Sequence, residues 1–195
     1  MDPFRSKPST MLLRTAAVAT AAAAMSLSGP AAHAAVIETG TDVIKEDIPI
    51  TCDYGTPDES DDIDILLKVR GTQNYTLKTR GPDEFVYFKG QGTQRISVSI
   101  PGTGIDWYAD ESWVEHDLRV VSQDGTRFTI EVGRNNHVRV VDPDGNPYKA
   151  GNTDSRVEWT MVVNTAGGDD EFLGQDKLVG RIGTNACEDA RTFTS

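Results

Sequence analysis

The sequence predicts an all-β domain: one antiparallel meander that closes as a β-barrel or, alternatively, packs as a two-sheet β-sandwich. Three observations carry this expectation. Apolar residues alternate with polar ones at period two in four separate windows, the pattern of strands with one buried face. Residue pairs that favour tight turns separate those windows. No window after residue 35 keeps an apolar i, i+3, i+4, i+7 pattern for three turns, so long amphipathic helices are not expected.

The chain opens with a segment that reads as a secretory signal peptide. Arg5, Lys7 and Arg14 supply a positive start, Thr15 to Leu27 is an apolar run rich in alanine, and Ala32-His33-Ala34 is a small-x-small cleavage site. The apolar run falls short of the roughly 20 residues that span a bilayer, so a membrane anchor is not expected. Met11 is an alternative start to Met1, and the reading holds for either. Residues 1–34 are therefore expected to be cleaved after Ala34, and residues 35–195 to form a single secreted, extracellular β-rich domain. The net charge of the chain is −11. Removing Arg5, Lys7 and Arg14 along with Asp2 leaves the remainder more acidic still. Such a surface repels phosphate backbones, so nucleic acid is excluded as a partner. It also repels anionic membranes and wall polymers unless a cation bridges them.

The elements follow in chain order. Cys52 lies near the start of the secreted portion and Cys187 near its end. An even cysteine count in an oxidising compartment favours a bridge between them. Thr56 to Asp62 is polar and acidic and reads as a loop. Ile63, Ile65, Leu67 and Val69 alternate with Asp64 and Lys68, giving a strand. Ile96, Val98 and Ile100 alternate with Ser97 and Ser99, giving another, and Pro101 to Gly104 reads as a glycine-rich turn. Asp110 to Val121 fits a short helix or a further strand. Asp124-Gly125 is a two-residue hairpin signal ahead of Phe128, Ile130 and Val132. Gly133-Arg134-Asn135-Asn136 reads as a separator before Val138-Val140, and Asp142 to Pro147 has the residue types of a tight turn. Val157, Trp159, Met161 and Val163 form a last alternating strand before Gly167-Gly168-Asp169-Asp170. Residues 113 to 164 thus predict about four strands. Residues 35–44 and the tail after Ala190 are expected to fray.

With its alanine-rich signal, Ile50-Thr51-Cys52, Asp124-Gly125-Thr126, Asp142-Pro143-Asp144-Gly145-Asn146 and late Cys187, the chain resembles secreted, all-β actinobacterial proteins for which no activity is known. The resemblance implies a β fold and a bridge between the end segments. It implies no activity. A barrel of this kind would be lipocalin-like in outline.

Candidate chemistry is sparse. Asp58, Glu59, Asp61 and Asp62 form the densest carboxylate cluster, which could offer calcium hard oxygens. No ligand spacing is met, so a solvated loop is expected and no cofactor is required. Asp142, Asp144 and Asn146 suggest an EF-hand loop, but Pro147 stands where glycine is needed and Thr153 where glutamate is needed. Gly167 to Phe172 resembles a GGDEF signature with one aspartate inserted, a match read as accidental in an exported β domain. His116 sits between Glu115 and Asp117, and with His137 it could make a metal or acid/base site. Asn74-Tyr75-Thr76 is a glycosylation sequon. No G-x-S-x-G nucleophile elbow is present, and no catalytic residue is assigned. Trp107, Tyr108 and Trp113 are the candidate ligand-binding aromatics, suited to stacking on a sugar or capturing an apolar molecule at a barrel mouth. The alternative is that the two tryptophans plug the core. The expected function is a non-catalytic extracellular binding protein for a small apolar ligand, a glycan or a protein partner, monomeric by default. The alternatives are a secreted enzyme with a histidine, carboxylate or metal site, and an envelope-associated structural protein.

Overall fold

The computed structural model describes residues 35–54 and 62–195. The described residues form seven strands: β1 (Val36–Cys52), β2 (Ile63–Arg80), β3 (Phe85–Ile100), β4 (Ile105–Ser122), β5 (Arg127–Val141), β6 (Thr153–Asn164) and β7 (Glu171–Arg181). One helix follows, α1 (Ala186–Thr194). All seven strands lie in one sheet in sequence order, each antiparallel to the next. The meander is as expected, but its closure is not. The sheet is open, with β1 and β7 as its two edges, so it is neither a barrel nor a two-sheet sandwich.

The reasons are local. Closure needs β1 to pair with β7. Pro49 in β1 has no backbone N–H to donate, which suits an edge strand. β7 carries the extra residues Asp176 and Leu173 where its pairing with β6 shifts register at Glu158/Trp159 and Thr160/Met161, and such bulges bend and twist the strand that bears them. The chain then leaves the sheet and returns as α1 to cover one face. Cys187 on that helix is bonded to Cys52 at the end of β1, across a sequence separation of 135.

Strand alternation sets the two faces. Residues directly opposite each other in neighbouring strands share a face. On the helix-covered face, Cys52, Ile65, Val98, Ile100, Trp107 and Val140 form a buried cluster with Ala190 of α1. Phe193 closes it, with its ring edge-on to Trp107 at 5.3 Å and to Tyr148 at 5.0 Å. The Tyr54 hydroxyl donates to the Cys187 carbonyl at 2.8 Å. A second cluster joins Val120, Ile130, Val132, Met161 and Val163, and a small one joins Ile44, Val69 and Trp113. Full burial of an aliphatic or aromatic side chain is worth about 1.5–3 kcal/mol, so these clusters carry the fold's stability.

Several expectations are corrected. The helix was not anticipated, because at nine residues it is too short for three turns of apolar periodicity. Its start is nonetheless written in the chain. The Asn185 side chain accepts from the N–H groups of Cys187 and Glu188, each at 3.0 Å, and Glu188 accepts from the Asn185 N–H at 2.9 Å, a capping box. Regular structure reaches into both end segments: β1 begins at Val36, and α1 runs to Thr194. Gly133 to Asn136 is no separator, because β5 runs unbroken from Arg127 to Val141. Residues 113 to 164 therefore hold three strands rather than four. The polar side chains of Arg134 and Asn136 take part in a network on the covered face, which removes the reason to turn. Asp110 to Val121 is strand throughout, with an irregularity between Asp117 and Arg119.

The turns behave as their residue types predict. Asp124 Oδ1 accepts from the N–H groups of Thr126 and Arg127 at 2.9 and 2.7 Å, while Gly125 takes a φ of 86°. The pairing of the Gln123 N–H with the Arg127 carbonyl makes this a three-residue loop, Asp124 to Thr126, one longer than the dipeptide suggests.

Candidate functional site

The face opposite α1 carries a groove of about 710 Å³ that crosses β1 to β5, a size suited to a small or oligomeric ligand. Its lining follows from register. Lys45, Arg70, Arg95, Asp110 and Arg139 each stand directly opposite the next, one from each of five consecutive strands. Two positions along, Val43, Thr72, Thr93, Ser112 and His137 form a parallel row that continues to Asp154 of β6. At about 4.8 Å between strands, each five-strand row is about 19 Å long.

The charged row is held by carboxylates at its margins. Arg95 donates to Asp110 through two parallel bonds, Nε to Oδ1 at 2.7 Å and Nη2 to Oδ2 at 2.8 Å, and packs over the Tyr108 ring at 4.2 Å. Hydrogen bonding to Asp110 raises the Arg95 pKa further. Arg70 donates to Asp47 at 2.5 Å. Arg139 donates to both oxygens of Asp154, at 3.2 and 3.0 Å, and His137 Nδ1 meets Asp154 Oδ1. Partial desolvation pushes the Asp154 carboxyl up. The hydrogen bonds and charges of Arg139 and His137 outweigh it, so the group lies below its ordinary 3.8. These arginines and aspartates are about half exposed, so their remaining donors and acceptors face solvent.

Behind the groove, the covered face holds a fixed polar floor. Arg134 Nη2 donates to Glu111 at 2.8 Å, its Nε donates to Asn136 at 2.6 Å, and Glu115 lies 3.7 Å from Nη1. Gln94 donates to the other Glu111 oxygen at 2.6 Å. The guanidinium sits 4.8 Å from the centre of the Trp113 ring. Gly92 opposes Trp113, and a Cβ there would come within 2.4 Å of the ring, so glycine is what admits the indole. Among the described residues the Trp113 Nε1–H has no hydrogen-bond partner.

The residues singled out from the sequence are distributed differently. Trp107 and Trp113, each 4% exposed, lie on the helix-covered face, whereas Tyr108 lies on the groove face beneath Arg95. The three aromatics therefore do not share one surface. His116 and His137 share the groove face, but Ser112 is the partner of His137, which puts the two histidines four positions, about 13 Å, apart along the strands. Glu115 and Asp117 are buried on the other side from His116 by strand alternation. Asp62 directly precedes β2, while Asp58, Glu59 and Asp61 lie outside the described residues. Among the described residues no group of three or more histidine, cysteine or acidic side chains could hold a metal. Asp142 Oδ1 accepts from the N–H groups of Asp144 and Asn146, which accounts for that turn as a turn. Gly167 to Asp170 joins β6 to β7, and Asp170 accepts from the Asn164 N–H at 3.1 Å.

Lys45, Arg70, Arg95 and Arg139 were not singled out from the sequence. The available signal was the polar half of each alternation, Lys68 and Arg70 beside Val69 for instance. Strand register, which aligns them, is not written locally.

No helix among the described residues is long and apolar enough to cross a membrane. No protein-family model, no curated protein and no solved structure matches this chain.

Proposed function

We propose that this protein is a secreted, non-catalytic binding protein that holds an extended, hydroxyl-rich ligand, a glycan, along the groove across β1 to β5. The observation that carries this reading is the pair of in-register rows, which interleave donors and acceptors over five strands. Arg95 and Asp110 clamped together offer a planar surface with both kinds of group. Thr72, Thr93 and Ser112 add hydroxyls beside them. Polar groups fixed before binding cost less ordering entropy than mobile ones, and the Gln94–Glu111–Arg134 floor fixes this sheet from behind. An open sheet offers no enclosed, lipocalin-like lumen for an apolar molecule.

The test is retention of the secreted protein on a panel of insoluble and soluble polysaccharides, with titration calorimetry on any that bind. Replacing Arg95 and Asp110 together by alanine is expected to weaken binding at least tenfold while leaving the melting temperature nearly unchanged, since exposed ion pairs contribute little to stability. A parent protein that binds no polysaccharide, or a variant that binds as well as the parent, refutes the reading.

A further inference from the structure

We infer that the groove's ligand is an acidic glycan, one whose carboxylate or sulfate groups seat against Lys45, Arg70 and Arg95. This rests on the glycan reading above and narrows it. Like charges directly opposite one another in a sheet are destabilising, yet Lys45 faces Arg70 and Arg70 faces Arg95. Three cations thus stand in succession, about 4.8 Å apart. Asp110, directly opposite Arg95 in the row, and Asp47, two positions from Lys45 along β1, each pair with one of these cations. Lys45 makes no ion pair among the described residues and lines the groove from the edge strand β1. Of the three, only Arg95 has a carboxylate directly opposite it, Asp110, and Lys45 has none. An anion bridging the three cations would remove the repulsion.

The acidic bulk of the protein does not forbid this. At physiological ionic strength charges are screened beyond about 8 Å, so a bound group at contact distance responds to the row and not to the distant surface. The neighbouring side chains favour a glycan over a nucleic acid. Asp47, Asp110 and Asp154 flank or join the cations and would repel a continuous phosphate backbone, but they can accept hydrogen bonds from sugar hydroxyls. Thr72, Thr93 and Ser112 supply further hydroxyl partners one row away.

The experiment compares matched pairs of polymers by calorimetry: polygalacturonate against its fully methyl-esterified form, and dextran sulfate against dextran. Binding of at least one acidic member is expected, weaker by about tenfold or more in its neutral counterpart, because each charge-assisted hydrogen bond contributes about 1.5–3 kcal/mol. Lys45→Gln and Arg70→Gln should each weaken the acidic polymer about tenfold and the neutral one by a smaller factor. Lys177→Gln, on β7 away from the row, controls for loss of charge alone and should have no effect. If the neutral polymer binds as tightly as the acidic one, the acidic inference fails and the glycan reading stands. If neither member of either pair binds, both fail. If single-stranded DNA binds as tightly as the acidic glycan and with the same sensitivity to Arg70→Gln, the row is a general anion site and the inference is overturned.

Discussion

Removing the Cys52–Cys187 bridge tests how the open sheet is held together. The perturbation is the double variant Cys52→Ala with Cys187→Ala. The bridge closes a sequence separation of 135, and the chain-entropy relation for a loop of that length gives about 5 kcal/mol at 25 °C. This arises in the unfolded state, where the link restricts the chain. A second contribution arises in the folded state. α1 has nine residues and would be marginal alone. It stays on the sheet through the bridge, the Tyr54–Cys187 hydrogen bond and the packing of Phe193 on Trp107 and Tyr148. For a domain of this size each kcal/mol moves the melting temperature by about 2–4 °C, so the expected drop is about 10–20 °C. The assay is calorimetric melting of parent and double variant in the same buffer. Cys52 is 2% exposed, so reductant applied to the native parent is a poorer test than substitution. Near-UV circular dichroism should also lose its tryptophan signal if α1 lifts away from Trp107. A double variant that melts within a degree or two of the parent refutes both parts of the reasoning.

Other outcomes follow from the same geometry. Arg134→Met should destabilise the fold by about 3–5 kcal/mol in urea unfolding, because it leaves Glu111 and Glu115 buried without their cation; adding Glu111→Gln should recover part of that loss, and no recovery would mean that the cost is packing alone. Asp124→Ala should lower the melting temperature at neutral pH. The hydrogen bonds from the Thr126 and Arg127 N–H groups hold the Asp124 carboxyl below its ordinary 3.8. A depressed folded-state pKa gives stability that is present above the unfolded value and lost as pH falls through the folded one. The gap between parent and Asp124→Ala should therefore close on acidification below 3.8, and a gap that widens there would contradict the assignment.

Much of the architecture is local and was legible. Alternation at Ile63–Val69, Ile96–Ile100 and Val157–Val163 located β2, β3 and β6, since a period of two follows from the pleat alone. Asp124-Gly125 and Pro101–Gly104 marked real turns because glycine tolerates positive φ, 86° at Gly125 and 81° at Gly102. The even cysteine count pointed to the bridge. Where the reading failed, a distant partner had changed the meaning of a residue. Gly133 to Asn136 has turn composition, yet Arg134 belongs to a strand, where Glu115 of β4 lies across from it and Glu111 further along β4 accepts its hydrogen bond. Closure as a barrel depends on whether β1 can meet β7, and no window of sequence contains both. α1 was passed over for want of periodicity, although Asn185 and Glu188 spell its cap.

The sequence by itself determined the strand character, most of the turns, the cysteine pair and the overall acidity. Tertiary structure alone decided that the sheet stays open, that α1 covers one face, and that Trp107 and Trp113 are core while Tyr108 faces the groove. It also decided the candidate site. Lys45, Arg70, Arg95 and Arg139 are separated by tens of residues and embedded in an acidic chain, so composition reports the opposite sign of charge. Register brings them to one row, because opposite positions on adjacent strands must share a face and lie within about 5 Å. Net charge is a sum over the whole chain, whereas a ligand in the groove meets only the side chains that pairing has aligned there.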